Sequence, residues 1–453
     1  MTKRNSPFKP RRARSTSTPL LKHHVKDTLS WRDHDLPVSC TITVDQDGTI
    51  AIRTGRIPLN KDTFWIVEKV PGHGRLATWA RLRAATKEGL TVESDHVTMT
   101  GRNDRTGPKM STVMIHGQLS MLAVHHRTPP TTAASCLLVY HTIGMQGFGV
   151  QHATTSLGNI RMAGPAEIQD YDHLAGRIQI TAHDHETSTI DEWTNEADER
   201  IAQILLIISL AEGKLVEWSI RQSATSDGKL FRTDFYGAKH TGTPRDGVGH
   251  FLNLQPILDL AIARYTEDLR RTTGIELAIR LLLAQPVHAE LQLITAMTAL
   301  EHLTSIYNKQ APIPPPVAQD AFATVIRPAL EAAFDTAIAK TPHDAEGAII
   351  VRNKIAGINN TVLKQRLDTM LRDYNVPIAG LEKHIDRAVR ARNDIVHQGT
   401  TKAAFPEFYL YVAVLREVLK RIILTLLEYK GQYISFLNGQ EFLEFPPAKT
   451  SIT

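Results

Sequence analysis

The chain has 453 residues, with 52 Lys and Arg against 47 Asp and Glu, a formal charge of +5, 42% hydrophobic and 22% charged residues. That length holds about two or three domains, and the composition excludes collagen, a fully disordered chain and a disulfide-dense secreted scaffold. Apolar runs such as Ile204-Leu205-Leu206-Ile207-Ile208 fall far short of the ~20 residues that span a bilayer. No apolar leader follows the basic N-terminus, and the two cysteines, Cys40 and Cys136, read as free thiols. A soluble cytoplasmic protein with no membrane partner is expected.

Residues 1–30 carry eight Lys and Arg against Asp27 alone. They read as a disordered basic tail, either able to attract phosphates without specificity or simply solvated. From about residue 36 to 190 the pattern is β-rich. Cys40–Val44 alternates polar and apolar, Asp45-Gln46-Asp47-Gly48 supplies turn chemistry, and Thr49–Arg53 resumes the alternation, which predicts a hairpin. Thr63–Val67, Leu90–Ser94, Thr112–Ile115, Cys136–Tyr140 and Ile178–Ile180 are further short strands. Strands without intervening helical patterns argue for an antiparallel sandwich or barrel. One helix follows, capped near Thr194-Asn195-Glu196 and ended by Gly213, and then two strands, Leu215–Gln222 and Leu230–Tyr236.

Beyond residue 250 the period becomes helical. Apolar stripes run through Leu254–Tyr265, Leu277–Leu283 and Leu291–Ile306, and again through 318–340, 362–374, 381–396 and 406–430. Gln310–Pro316 reads as a stiff proline-rich linker. Helices with one apolar stripe each bury it against one another, which predicts a bundle. The expected fold class is therefore α+β multidomain, an antiparallel β-rich N-terminal domain followed by an all-α bundle. The expected boundaries are a tail at 1–30, a β-rich domain with one helix at 31–245, the bundle at 250–437 and a C-terminal tail at 438–453.

Several motifs point nowhere strongly. No phosphate-binding loop is present, and Gly144–Gly149 opens no helix, so it reads as a tight turn. His183-Asp184-His185-Glu186 would set two imidazoles on one face of a strand, but no further ligand is fixed by spacing, so no metal and no cofactor is expected. The informative segment is Arg390-Ala391-Arg392-Asn393-Asp394-Ile395-Val396-His397-Gln398-Gly399. Its Arg-x4-His spacing recurs at Arg245–His250, in a glycine-rich loop. The copy at Arg392–His397 differs from it: it ends an amphipathic helix, a polar Asn-Asp pair follows the Arg, and a long apolar helix comes next.

These features resemble the Arg-x4–6-His signature of the HEPN superfamily, in its Arg-Asn-x-x-x-His form. The resemblance covers about residues 250–437. A β-rich half before such a bundle is similar to the ApeA-type architecture, associated with anti-phage defence and abortive infection. The resemblance implies a homodimer that cleaves RNA, tRNA among the candidates, without a metal, at a site composed by two protomers, with a first domain that senses or recognises a trigger, phage-derived among the candidates, or the substrate. Carried over by position, Arg392 and His397 take the catalytic slots and Asn393 the adjacent polar slot. Asp394 and Glu301, the latter one position from the apolar stripe of a neighbouring helix, are supporting candidates. Lys383, Arg387 and Arg390 are candidates for RNA contact.

The chemistry of these residues fits that implication. Histidine exchanges a proton near pH 7, and arginine offers a planar, permanently charged fork to a phosphate. A structural reading stands beside it: cations in the last turns of a helix are favoured by its dipole whatever their function. On that reading the bundle only binds RNA or dimerises.

Overall fold

The computed structural model describes residues 19–31, 34–45, 48–58, 78–104, 112–145, 149–164, 174–184, 186–237, 247–248, 254–284, 286, 288–340, 345–398, 400 and 403–447. The chain divides into two compact units, one of residues 1–202 and 216–241, the other of 203–215 and 242–453. The first is antiparallel β and the second is helical, an α+β multidomain fold. Among the described residues no helix is long and apolar enough to cross a membrane. The predicted strand Thr63–Val67 and residues 1–18 of the expected tail lie outside the described residues.

The first unit begins with β1 (Leu21–Trp31), β2 (His34–Val44), β3 (Ile50–Thr54), β4 (Ile57–Pro58), β5 (Thr78–Thr86), β6 (Thr91–Asp104), β7 (Thr112–Leu119) and β8 (Met121–His125). Strands β6, β5, β1, β2, β3 and β7 pair in that order, and β7 pairs back onto β6. Six strands thus close into a ring, which removes the free edges an open sheet would carry. Period-two burial fills it: Leu36, Val38, Cys40, Ile42 and Val44 of β2 all point into one core. Thr54 is buried there too, and its hydroxyl accepts from the Ile115 amide at 2.9 Å. The predicted hairpin is β2–β3, with Val44 opposite Ile50.

The expected tail at 1–30 is corrected here. The sheet starts at Leu21, because Val25 and Leu29 are buried in the barrel while Lys22, His24 and Lys26 alternate with them on its outer surface. Charge on alternate residues marks the solvated face of a strand as well as it marks a tail.

The sheet continues from β8 through β9 (Cys136–Ile143), β10 (Val150–Thr155), β11 (Gly158–Ala163), β12 (Leu174–Thr181), β13 (Glu217–Thr225) and β14 (Leu230–Tyr236), in the spatial order β8-β14-β13-β9-β12-β11-β10. Helix α1 (Ile190–Glu212) interrupts the strands. Its cap is one turn earlier than expected: the Thr189 hydroxyl receives the Glu192 amide, and Glu192 reaches back to the Thr189 amide at 3.1 Å. Asp198 of α1 accepts from the Tyr140 hydroxyl at 2.8 Å and pairs with Arg221, which also holds the fully buried Asp234 at 2.6 Å. The second half of α1 belongs to the helical unit, not to the β-rich domain as expected. Ile204 through Ile208 and Leu210 are all buried, and Val248 donates to the Leu210 carbonyl at 3.1 Å.

The helical unit contains α2 (Gln255–Ala263), α3 (Glu267–Thr273), α4 (Ile275–Leu283) and α5 (Ala289–Gln310). Short turns at Gln319–Ala321 and Phe322–Ile326 lead to α6 (Arg327–Ile338). Then come α7 (Ala345–Gly357), which the apolar pattern did not predict, α8 (Leu363–Asp373), α9 (Glu382–Gln398) and α10 (Phe405–Leu426). Helix α5 packs against α4, α8, α9 and α10. The proline-rich segment is pinned, since the Asn308 carboxamide accepts from Ile313 and that of Asn359 from Val317, both at 3.0 Å. The expected tail from 438 is instead half of a hairpin, β15 (Gly431–Ser435) with β16 (Glu441–Phe445). It is held because Tyr433 is buried and its hydroxyl donates to Glu417 of α10 at 2.8 Å.

Candidate active site

Helix α9 buries Ile385, Ala388, Ala391 and Ile395, a single stripe at helical spacing. At 100° per residue, Arg392 lies about 45° from the centre of that stripe and His397 about 180° from it. The burial follows this geometry. The Arg392 side chain is 22% exposed, and His397 lies in the open at the helix end. The helix stops at Gln398.

Arg392 is held rather than free. Its Nη2 lies 2.5 Å from the Glu301 carboxylate, and its Nη1 donates to the Asn393 side chain at 3.1 Å. Its Nε is buried and finds no acceptor among the described residues. Glu301 reaches it because Leu300, Leu303 and Thr304 bury the adjacent stripe of α5, leaving the carboxylate on the flank that meets α9. The contact anticipated between Glu301 and the Arg-Asn segment is therefore present. Both partners keep some solvent exposure, so the pair orders the guanidinium without sealing it from an incoming phosphate.

The remaining candidates lie elsewhere on the helix surface. Lys383, Arg387, Arg390 and His397 are all exposed, with Asp394 half-buried among them. Their spacing of four, three, four and three residues sets them within about 40° of one line. Arg387 approaches Glu407 of α10 at 3.9 Å. This basic stripe faces away from the bundle core, while Arg392 flanks that core. Within one chain Arg392 and His397 are separated by about 140° around the axis and ~7.5 Å along it, so the helix does not aim both at one phosphate.

The residue pattern missed a feature beside the motif. Val396 (51% exposed), Phe405 (72%) and Tyr409 (46%) leave apolar surface at the end of α9 and the start of α10, and the last two rings meet edge-on at 4.7 Å. The signal was there: Phe405 and Tyr409 are four residues apart, off the stripe that Val414 and Val418 bury.

The other motifs stand apart. His183 and Asp184 follow the end of β12 and are not on a strand, and His183 Nε2 lies 3.0 Å from the Thr155 carbonyl, so the common face expected for His183 and His185 has no strand to provide it. His185 and the second Arg-x4-His copy, at Arg245 and His250, lie outside the described residues. Among the described residues no three His, Cys, Asp or Glu group as metal ligands. No protein-family model, curated protein or solved structure matches the chain.

Proposed function

We propose that the chain is an endoribonuclease of the HEPN type, working without a metal at a site that two copies compose. The observation that supports this most is the state of the two motif residues. Arg392 is braced by Glu301 at 2.5 Å at the edge of the bundle, and His397, five residues on, stands in solvent. Neither is consumed by core packing. Because one helix splays them apart, a second copy brings an Arg392 to the other copy's His397, and the apolar surface of Val396, Phe405 and Tyr409 is of the kind a two-fold contact covers.

In this reading the ribose 2′-oxygen attacks the adjacent phosphorus as the bond from phosphorus to the 5′-oxygen breaks. His397 takes the 2′ proton or gives one to the leaving oxygen. Arg392 meets the charge that gathers on the non-bridging oxygens, and Asn393, bonded to it, fixes its fork. The products are a 2′,3′-cyclic phosphate and a 5′-hydroxyl. The basic stripe of Lys383, Arg387 and Arg390 lies along the same helix as a phosphate track. The β-rich unit then supplies recognition of a trigger or of substrate, in a cytoplasmic anti-phage response. The second reading, an RNA-binding or dimerising bundle without catalysis, draws on one observation: Glu301 already neutralises Arg392.

Incubating the full chain with total RNA in EDTA and mapping the ends separates them. Cyclic phosphate ends that vanish in Arg392→Ala and His397→Ala are expected. Cleavage that requires added magnesium, or that survives both substitutions, overturns the ribonuclease reading.

A further inference from the structure

A groove of about 700 Å³ crosses the outer face of the barrel, far in sequence from the motif on α9. Strand register explains its lining. One transverse row runs His24, Thr41, Arg53, His116 across β1, β2, β3 and β7. The next row runs Lys22, Thr43, Ala51, Gln118, with Thr98 of β6 opposite Gln118. Ala51 helps hollow the groove, since it presents only a methyl to the outer face. Gly117 lies opposite inward-facing Ile52 and has no side chain between strands that approach closely. A Cβ there would meet the Thr98 carbonyl at 2.5 Å and Ile52 Cγ2 at 2.9 Å.

The chemistry of the lining has one sign. Lys22 and Arg53 are permanent cations, His24 offers a ring nitrogen, and Thr41, Thr43, Thr98 and Gln118 offer donors. No carboxylate is among the described lining residues, although the same barrel carries carboxylates on neighbouring strands, where Asp95 faces Arg81 and Glu93 faces Arg83, each at 3.4 Å. The Thr41 hydroxyl meets His24 Nδ1 at 2.9 Å and so fixes that ring. From β1 to β7 the row spans three strand spacings, roughly 14 Å, longer than one phosphate group, and the groove is open rather than enclosed. No aromatic ring is among its described lining residues, so these offer no platform for base stacking.

We infer that this groove binds the sugar-phosphate backbone of a single-stranded nucleic acid, through Lys22 and Arg53 with the His24 imidazole and the threonine hydroxyls between them. Binding is indifferent to sequence and sensitive to salt. Two phosphates neutralised on a single strand give a slope of log K against log salt of about −1.4. The inference is independent of the ribonuclease reading, because a strand without 2′-hydroxyls has the same backbone charge.

The test is fluorescence anisotropy of a labelled twelve-residue oligodeoxythymidylate titrated with the full chain at pH 7.5 and several salt concentrations. It cannot be cleaved by 2′-oxygen attack, so a failed ribonuclease leaves this readout intact. Lys22→Ala with Arg53→Ala is expected to weaken binding at least tenfold, and Ala51→Glu, which fills the groove with a negative charge, by a similar factor. Arg81→Ala with Arg83→Ala removes the same charge from another strand of the barrel and should change it less than twofold. All four cations are exposed, so an unchanged thermal midpoint certifies the fold. Equal losses in the two double variants would reduce the binding to diffuse attraction and overturn the site. No binding at 100 μM protein would also overturn it. So would thermal protection by inorganic phosphate or a mononucleotide, abolished by the groove variants, without binding of the oligonucleotide, since that assigns the groove to a small phosphate ester.

Discussion

Two clusters of charge in the helical unit differ in what surrounds them. On α10, Glu417 accepts from Arg421 Nε at 2.9 Å and from the Tyr433 hydroxyl at 2.8 Å, and Lys420 lies 3.4 Å away. All of these side chains are 2% exposed or less, or lie within the buried core, and the surplus positive charge is met by the Pro377 and Ile434 carbonyls. On α9, Arg392 and Glu301 make a similar pair at 2.5 Å, and in both clusters one guanidinium nitrogen finds no acceptor among the described residues, but here the side chains are 22% and 34% exposed. The first cluster is spent on the fold, since its charged groups pair with one another in a low dielectric, out of reach of solvent. The second is ordered yet still has solvent to trade, which is the condition for a group that must meet a substrate. Position relative to the core, and not residue type, separates the two clusters here.

The largest effects test that division directly. His397→Ala and Arg392→Ala should each lower RNA cleavage by about 10²–10⁴ while shifting unfolding free energy by no more than about 1 kcal/mol, the scale of a helix-end dipole contact or an exposed ion pair. Glu417→Ala should do the reverse in kind. Removing one partner of a buried pair leaves Arg421 and Lys420 uncompensated and costs about 3–5 kcal/mol. Chemical denaturation of all three variants beside the cleavage assay decides it. A His397→Ala protein that cleaves at the parental rate removes the functional half of the contrast. A Glu417→Ala protein of parental stability removes the structural half.

How far the sequence exposes this contrast depends on the range of the interaction. The β2–β3 hairpin was legible because its alternation and its turn at 45–48 are local. The motif helix was legible because Ile385, Ala388, Ala391 and Ile395 fix its buried face. Glu301 was legible as a neighbour because it adjoins the stripe of α5. Barrel closure was not, since the pairing of Val97–Asp104 with Thr112–Leu119 is a matter of three-dimensional register across residues already claimed by β5 and β3. Strand β1 was missed because Lys22, His24 and Lys26 dominated its composition while Val25 and Leu29 carried its burial. The groove followed it out of sight, because its rows are assembled from four strands that no linear pattern joins. The terminal hairpin was missed for a related reason: Tyr433 finds its partner, Glu417, on a helix and not on a strand.

A smaller effect extends the contrast to the other unit, to a buried group that carries no charge at all. Cys40 lies in the barrel core at 3% exposure, and burial pushes its thiol up to about 12. The sign follows from linkage. Below about pH 9 the thiol is protonated in both states, so its contribution is fully present. Between about 9 and 12 the unfolded chain ionises while the folded one does not, and stability falls with rising pH. Unfolding free energy from denaturation across that window should drop by an amount on the order of a few kcal/mol, and Cys40→Val, which keeps an apolar side chain of similar size, should flatten the fall. Parallel curves for the parent and Cys40→Val would show that the thiol does not sense the core.

The smallest expected change comes from Glu301→Gln. The substitution keeps an oxygen for the Arg392 fork and removes the charge. Because both partners are partly exposed, the lost Coulomb energy is about 0–1 kcal/mol, which moves the melting midpoint of a unit this size by no more than about 2–4 °C. Cleavage should fall less than tenfold, since the guanidinium stays where the carboxamide holds it, whereas Glu301→Ala, which leaves nothing to hold the fork, should fall further at similar stability. Glu417→Gln supplies the reference, a like change of charge made at a fully buried carboxylate. If Glu301→Gln destabilises as strongly as Glu417→Gln, the pair on α9 belongs with the one on α10, and Arg392 is part of the scaffold. If instead the two Glu301 variants differ in cleavage and not in melting, the carboxylate acts on the reaction through the position of Arg392.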